Sequence, residues 1–183
     1  MKNQNPTIFI SYSREHDRKE ALALCRALTQ SGHDAWIDEE RVQPGQVWYD
    51  EVETALCDAK VVLVLLSNEM IASKSYAHDE WHMALEMQKD GDGEELFIIP
   101  VKLDDCKVPF LLRRFQWVNW FEASGKRRLM KRLDQIIKKR QLRNIDNPEE
   151  DRSIPARSIG RTLVSWSSLW RQRPLLPVPA AVL

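Results

Sequence analysis

Val61-Val62-Leu63-Val64-Leu65-Leu66-Ser67-Asn68 is the stretch on which the fold turns: six apolar residues closing in two polar ones. A run that is apolar at every position has no face for solvent. It therefore reads as a strand covered on both sides, central in a sheet. Two further runs have the same build. Ile8-Phe9-Ile10 ends in Ser11-Tyr12-Ser13-Arg14, and Ala35-Trp36-Ile37 ends in Asp38-Glu39-Glu40-Arg41. Each strand opens at its C-terminal end into a polar loop, the edge at which open parallel sheets bind ligands.

Between and beyond these runs the periodicity changes to that of helices. Strand one is expected over Thr7–Tyr12, followed by a helix over Arg18–Gln30 with Ala21, Leu24, Cys25 and Leu28 on one stripe. Ser31-Gly32 ends it. Strand two is expected over Ala35–Asp38, and Pro44-Gly45 marks a turn in the loop that follows. A helix over Val47–Ala59 presents Val52, Ala55, Leu56 and Ala59. After strand three, a polar loop over Ser67–Tyr76 leads to a helix over His78–Lys89 with Trp81, Ala84, Leu85 and Gln88 on one side. Strand four falls at Leu96–Lys102, a short strand five near Trp117–Asn119, and an amphipathic helix at Lys126–Arg140. Strands alternating with helices make βαβ units. The expected fold is a flavodoxin-like three-layer α/β sandwich on a five-stranded parallel sheet of order 2-1-3-4-5.

Composition sets the bounds. With 183 residues the chain holds one domain and an appendage: residues 1–140 form the domain, and 141–183 a linker or poorly ordered tail. The 27 Lys and Arg balance the 27 Asp and Glu, so no global charge argues for nucleic acid or a membrane. From Lys138 onward nine basic residues stand against four acidic ones. Trp166 and Trp170 among those arginines leave a docking or membrane-surface segment as the sharper alternative for the tail. Three distant cysteines, Cys25, Cys57 and Cys106, suit a reducing cytoplasm better than a disulfide framework. The polar start Met1–Pro6 does not read as a signal peptide, and no apolar run is long enough to span a bilayer.

Five motifs in order then become specific. They are Phe9-Ile10-Ser11-Tyr12-Ser13, the Asp38-to-Gly45 loop, Leu65-Leu66-Ser67, the stretch from Ser73 to Trp81, and Phe115-Gln116-Trp117-Val118-Asn119-Trp120. Together they resemble the Toll/interleukin-1 receptor (TIR) domain in its bacterial form, over about residues 6–138. The resemblance makes Asp38–Trp48 the so-called BB loop, through which such domains associate with themselves or with other TIR domains. Many members only scaffold signalling complexes, whereas others cleave NAD⁺ at the nicotinamide–ribose bond. The enzymatic members resemble one another in a Glu at the start of the helix after strand three, which matches Glu80, four residues after Tyr76. The resemblance thus implies an NADase of bacterial immune defence, switched on by self-assembly, with or without cyclisation of the product.

One carboxylate suffices for that chemistry. Glycosidases ordinarily use two because a sugar oxygen must be protonated to leave. Nicotinamide in NAD⁺ is already cationic and leaves neutral, so what remains is positive charge developing on the ribose. A carboxylate placed near that carbon stabilises it electrostatically. On position alone, Glu80 would be an acid at a helix N-terminus, worth about 0.3–1 kcal/mol; with the family pattern it becomes the catalytic candidate. Substrate contacts are expected from Tyr12, Ser13, Arg14, Arg41, Gln43, Gly45, Ser67 and Tyr76. Tyr12 stacks on nicotinamide or packs the rim. Arg14 pairs with pyrophosphate or stays solvated. Ser67 contacts ligand or caps a turn. Related enzymes often carry a basic residue where Ser13 stands, and some an acid where Gln43 stands.

Two patterns lead elsewhere. His78 and His82 have the i, i+4 spacing of zinc ligands, but the Glu that must follow the first His is Asp79, so no metal is expected. Neither G-x-G-x-x-G nor a Walker A motif is present, so NAD⁺ is expected as a substrate and no cofactor is implied. The rival function is a non-enzymatic TIR–TIR interaction module, in signalling or in mimicry of a host. A phospho-receiver would need Asp at the end of strand three, where Ser67 stands. A sensor, fused or separate, is a further expected partner.

Overall fold

The computed structural model describes residues 8–37, 52, 54–56, 58–73, 84–85 and 97–146, with side chains through Lys139. The chain divides into two compact units, residues 1–137 and 138–183. Five strands form one parallel sheet: β1 Ile8–Ser11, β2 Ala35–Trp36, β3 Val61–Leu66, β4 Phe97–Lys102 and β5 Val118–Asn119. Their order is β2-β1-β3-β4-β5, as the sequence predicts. In register, Ile8 lies between Ala35 and Val61, and Val61 pairs onward with Phe97.

The alternation of side chains along each strand divides the core into two layers. Ile8, Ile10, Val61, Leu63 and Leu65 face helix α1 (Arg18–Gln30) and helix α3 (Ala123–Asp146), through Leu24, Leu28, Leu129 and Leu133. Phe9, Val62, Val64 and Leu66 face the opposite side, where Val52, Ala55, Leu56, Ala84 and Leu85 cover them. Every β3 residue is fully buried. At about 1.5–3 kcal/mol for each buried large apolar side chain, this strand is a main source of cohesion.

Three elements depart from the sequence reading. The Ser67–Tyr76 stretch is not all loop, because Asn68–Ala72 forms a helix, α2. Five residues are too few to display a helical stripe, but the cap was there to read. Ser67 Oγ accepts a hydrogen bond from the Met70 N–H at 3.0 Å. The β2 ladder stops at Trp36, short of Asp38, although Ile37 stays buried. Helix α3 begins at Ala123 and reaches Asp146, longer at both ends than expected.

Candidate functional site

In this strand order the chain leaves β1 toward β2 on one side and returns to β3 on the other. The loops after β1 and β3 therefore part company at the β1/β3 boundary, the switch point where such sheets hold ligands. The parallel pairing of Ser11 with Val64 puts the C-terminal ends of the two strands side by side. Tyr12–Asp17 and Ser67–Asn68 follow those two strand ends.

Tyr12 is 5% exposed and belongs to the layer on the α1 side, which makes it rim packing with little ring face open. Ser13 is buried, and its carbonyl accepts the N–H of Asp17 at 2.8 Å and of His16 at 3.3 Å. Arg14 is exposed. Ser67 is buried, and its hydroxyl accepts the Met70 N–H at 3.0 Å. Arg41, Gln43, Gly45, Tyr76 and Glu80 lie outside the described residues, as do the 38–48 loop and the His78/His82 pair.

The structure adds residues that the sequence reading did not single out. Asp17 is 3% exposed, and its main-chain N–H donates to the Ser13 carbonyl. Burial pushes its carboxyl above the usual range, while Ser67, the Ser13 backbone and nearby His16 pull it back. Its position one residue before α1 was the available signal. His16 lies 3.5 Å from Glu69 and 3.7 Å from Glu15. On the β4 side, the Asn68 N–H donates to Asp104 Oδ2 at 3.0 Å, and Leu103 N–H to Leu66 carbonyl at 2.8 Å. Lys102, nearly buried, pairs with Asp105 at 2.9 Å. Among the described residues no group of His, Cys, Asp or Glu could hold a metal ion, and no helix is long and apolar enough to cross a membrane.

A concavity of about 420 Å³ runs along the start of β4. It exists because β5 pairs only with Val101 and Lys102 of β4. Phe97, Ile99, Phe115 and Leu129 line it, with Arg128 and Arg132 beside them. The Arg132 guanidinium sits 5.5 Å from the centre of the Phe97 ring.

A parallel sheet of this order, covered on both faces, defines a doubly wound α/β domain. Within that class the chain belongs to the TIR domain family, whose model matches residues 8–137. The uncharacterized protein y4cD of Sinorhizobium fredii (strain NBRC 101917 / NGR234) is 27% identical over 150 residues, 76% of this chain and 22% of that protein. The chain thus spans less than a quarter of that curated relative. Among solved structures, the TIR domain of the Toll-related receptor TRR-2 from Hydra magnipapillata is similar at a TM-score of 0.60 and 18% identity, covering 73% of this chain and 99% of that one. A metazoan TIR-STING receptor from C. gigas is similar at 0.55 and 21%, covering 75% and 42%. Both likenesses are of fold.

Proposed function

We propose that this TIR domain is an NAD⁺ glycohydrolase that cleaves the nicotinamide–ribose bond, with Glu80 as its catalytic carboxylate. The observation that carries this reading is the shared edge of β1 and β3. It sets Ser13–Arg14 and Ser67 just past neighbouring strand ends, upstream in the chain of the segment bearing Tyr76 and Glu80. Arg14 at the mouth pairs with the pyrophosphate, a contact suited to a guanidinium. Tyr12, Ser13 and Ser67 form the wall behind it. Arg41, Gln43 and Gly45 border the nucleotide, and Tyr76 precedes the catalytic residue by four positions. Glu80 stabilises the cationic ribose as neutral nicotinamide departs. Water, or the adenine end of the same molecule, then takes the ribosyl carbon. No resident cofactor takes part.

Activity depends on assembly. The 38–48 loop, with Asp38, Glu39 and Glu40, complements in charge the Arg128 and Arg132 beside the β4 groove of a second copy. The setting we infer is the cytoplasm, where NAD⁺ is abundant and the thiols of Cys25 and Cys106 stay reduced. The role there is antiviral defence, through loss of NAD⁺ or a nucleotide signal made from it. The test is nicotinamide release from NAD⁺, followed by chromatography across a series of protein concentrations with a crowding agent. A rate per protomer that climbs with concentration supports both the activity and its dependence on assembly. Folded, concentrated protein that releases none favours the interaction module.

A further inference from the structure

We propose that the turn after β4, tipped by Phe110 and Leu111, is a docking site for an anionic lipid surface. The two apolar side chains enter the interfacial layer while Lys107, Arg113 and Arg114 meet the headgroups. This site is independent of the NAD⁺-cleaving reading above.

Among the described residues the exposed large apolar side chains are Phe110, Leu111, Trp117 and Phe121. All four come from one stretch of chain, Lys107 to Phe121, which runs from the end of β4 past β5. Single apolar residues scattered over a surface are ordinary, but a concentration of them marks an interaction site. The same stretch holds three cations, Lys107, Arg113 and Arg114, all exposed, and no acidic residue. The acids that bracket it are engaged within the protein. Asp105 pairs with Lys102 at 2.9 Å, and Glu122 accepts Asn119 Nδ2 at 2.7 Å and Ser124 Oγ at 3.1 Å.

The tip is built before any partner arrives. Phe110–Leu112 forms a 3₁₀ turn entered through Pro109, whose ring fixes φ. Leu112 N–H donates to the Pro109 carbonyl at 3.0 Å, Arg113 N–H to Phe110 at 3.2 Å and Phe115 N–H to Leu112 at 3.1 Å. Leu112 is fully buried in the core layer that also holds Val108 and Cys106, so it anchors the turn. The two residues before it are left outside, Phe110 80% and Leu111 45% exposed. Arg113 Nε donates to the Val108 carbonyl at 3.0 Å, and the Arg114 guanidinium lies 4.8 Å from the centre of the Phe115 ring. Two of the three cations are thus held in place, and docking need not order them.

Apolar insertion and attraction to anionic headgroups are each weak alone and add when one segment supplies both. Trp117 suits the same interfacial layer. A protein partner fits this tip less well. One aromatic ring, about 150–250 Å² when whole, and part of a leucine fall well short of the roughly 800 Å² each partner gives a stable interface. A bilayer sets no such minimum, since affinity there scales with the apolar area that enters it.

The experiment is flotation of the full chain with two kinds of vesicle, phosphatidylcholine alone and two parts phosphatidylcholine to one part phosphatidylserine, over a lipid titration. The unmodified protein is compared with Phe110→Ser/Leu111→Ser, Phe110→Trp and Lys107→Gln/Arg114→Gln. All of these change exposed side chains, so urea midpoints should match; if the double tip variant unfolds, Phe110→Ser alone carries the comparison. The unmodified protein should bind the anionic vesicles and be released by high salt. Removing the tip should lower the partition coefficient about tenfold. Removing the two charges should lower it about fivefold or more on anionic vesicles. Phe110→Trp should keep the binding, because indole favours the interface. No binding by the unmodified protein would overturn the proposal. So would equal binding by the tip variant, which would place the lipid contact elsewhere in the chain. Sedimentation velocity without lipid tests the other occupant: loss of self-association in the tip variant, with vesicles ignored by the unmodified protein, would overturn the proposal and assign the tip to a second copy.

Discussion

Gly125 lies against the main-chain carbonyl of Asn119, so close that a Cβ at position 125 would collide with that oxygen. The contact sits where β5 turns into α3. There the Glu122 N–H donates to Asn119 carbonyl at 3.2 Å, and Asn119 Nδ2 donates to Glu122 Oε1 at 2.7 Å. The colliding atom is backbone, which cannot swing aside as a long side chain would. Gly125→Ala should therefore destabilise the protein by about 1–3 kcal/mol, the usual cost of overpacking, read as a lower urea midpoint. An unchanged midpoint would show slack in this turn.

Asp17 also shapes the pH dependence of stability. Burial raises its folded-state pKa above the ordinary value of 3.8, so between those two values the folded protein holds the proton more tightly than the unfolded chain. Its contribution is most favourable below the ordinary value and is lost as pH rises through the raised one. Asp17→Asn cannot titrate. The melting temperature of the variant relative to the unmodified protein should thus move in the variant's favour from about pH 4 upward. A flat or opposite trend would contradict the burial assigned to this carboxyl.

Cys106 should be inert as a nucleophile. Burial first, and then the neighbouring Asp104 carboxylate, push its thiol up to about 11. Its Sγ–H also donates to the Leu66 carbonyl at 3.4 Å. Only thiolate attacks alkylating agents, so iodoacetamide at pH 8 should leave Cys106 unmodified in the native protein and modify it in urea. Native-state labelling, read by peptide mass mapping, would show that this loop opens.

Self-association through the β4 groove makes its own prediction. Arg132→Glu places negative charge beside Phe97, where the acidic 38–48 loop of a second copy would dock. The variant should weaken self-association by about 1 kcal/mol, roughly fivefold, in sedimentation velocity at moderate salt. Unchanged association would place the interface elsewhere.

The sheet was legible because β3 is apolar at every position and its neighbours repeat the same ending; patterns of that strength survive any tertiary context. Helix α1 was equally plain from its stripe of Ala21, Leu24, Cys25 and Leu28, all buried. Helix α2 was missed because five residues cannot show a period and because Ser67 reads as a loop residue unless its cap is considered. The site was legible only in part. Ser13–Arg14 and Ser67 follow the paired ends of β1 and β3, but the sequence gives no means to see that Asp17, one residue before α1, is buried. Nor does it show that Tyr12 is spent on the core. Long-range contacts of this kind follow from the strand order, so they become visible only once the fold is in hand.

The central claim, that Glu80 is the carboxylate that drives cleavage of NAD⁺, is met most directly by one comparison. Nicotinamide release by the unmodified protein and by Glu80→Ala is measured side by side, at equal high concentration and with equal folding verified by circular dichroism. Loss of the electrostatic stabilisation should slow release by about 100- to 1,000-fold. Equal release from both proteins would contradict the account and remove Glu80 from the chemistry.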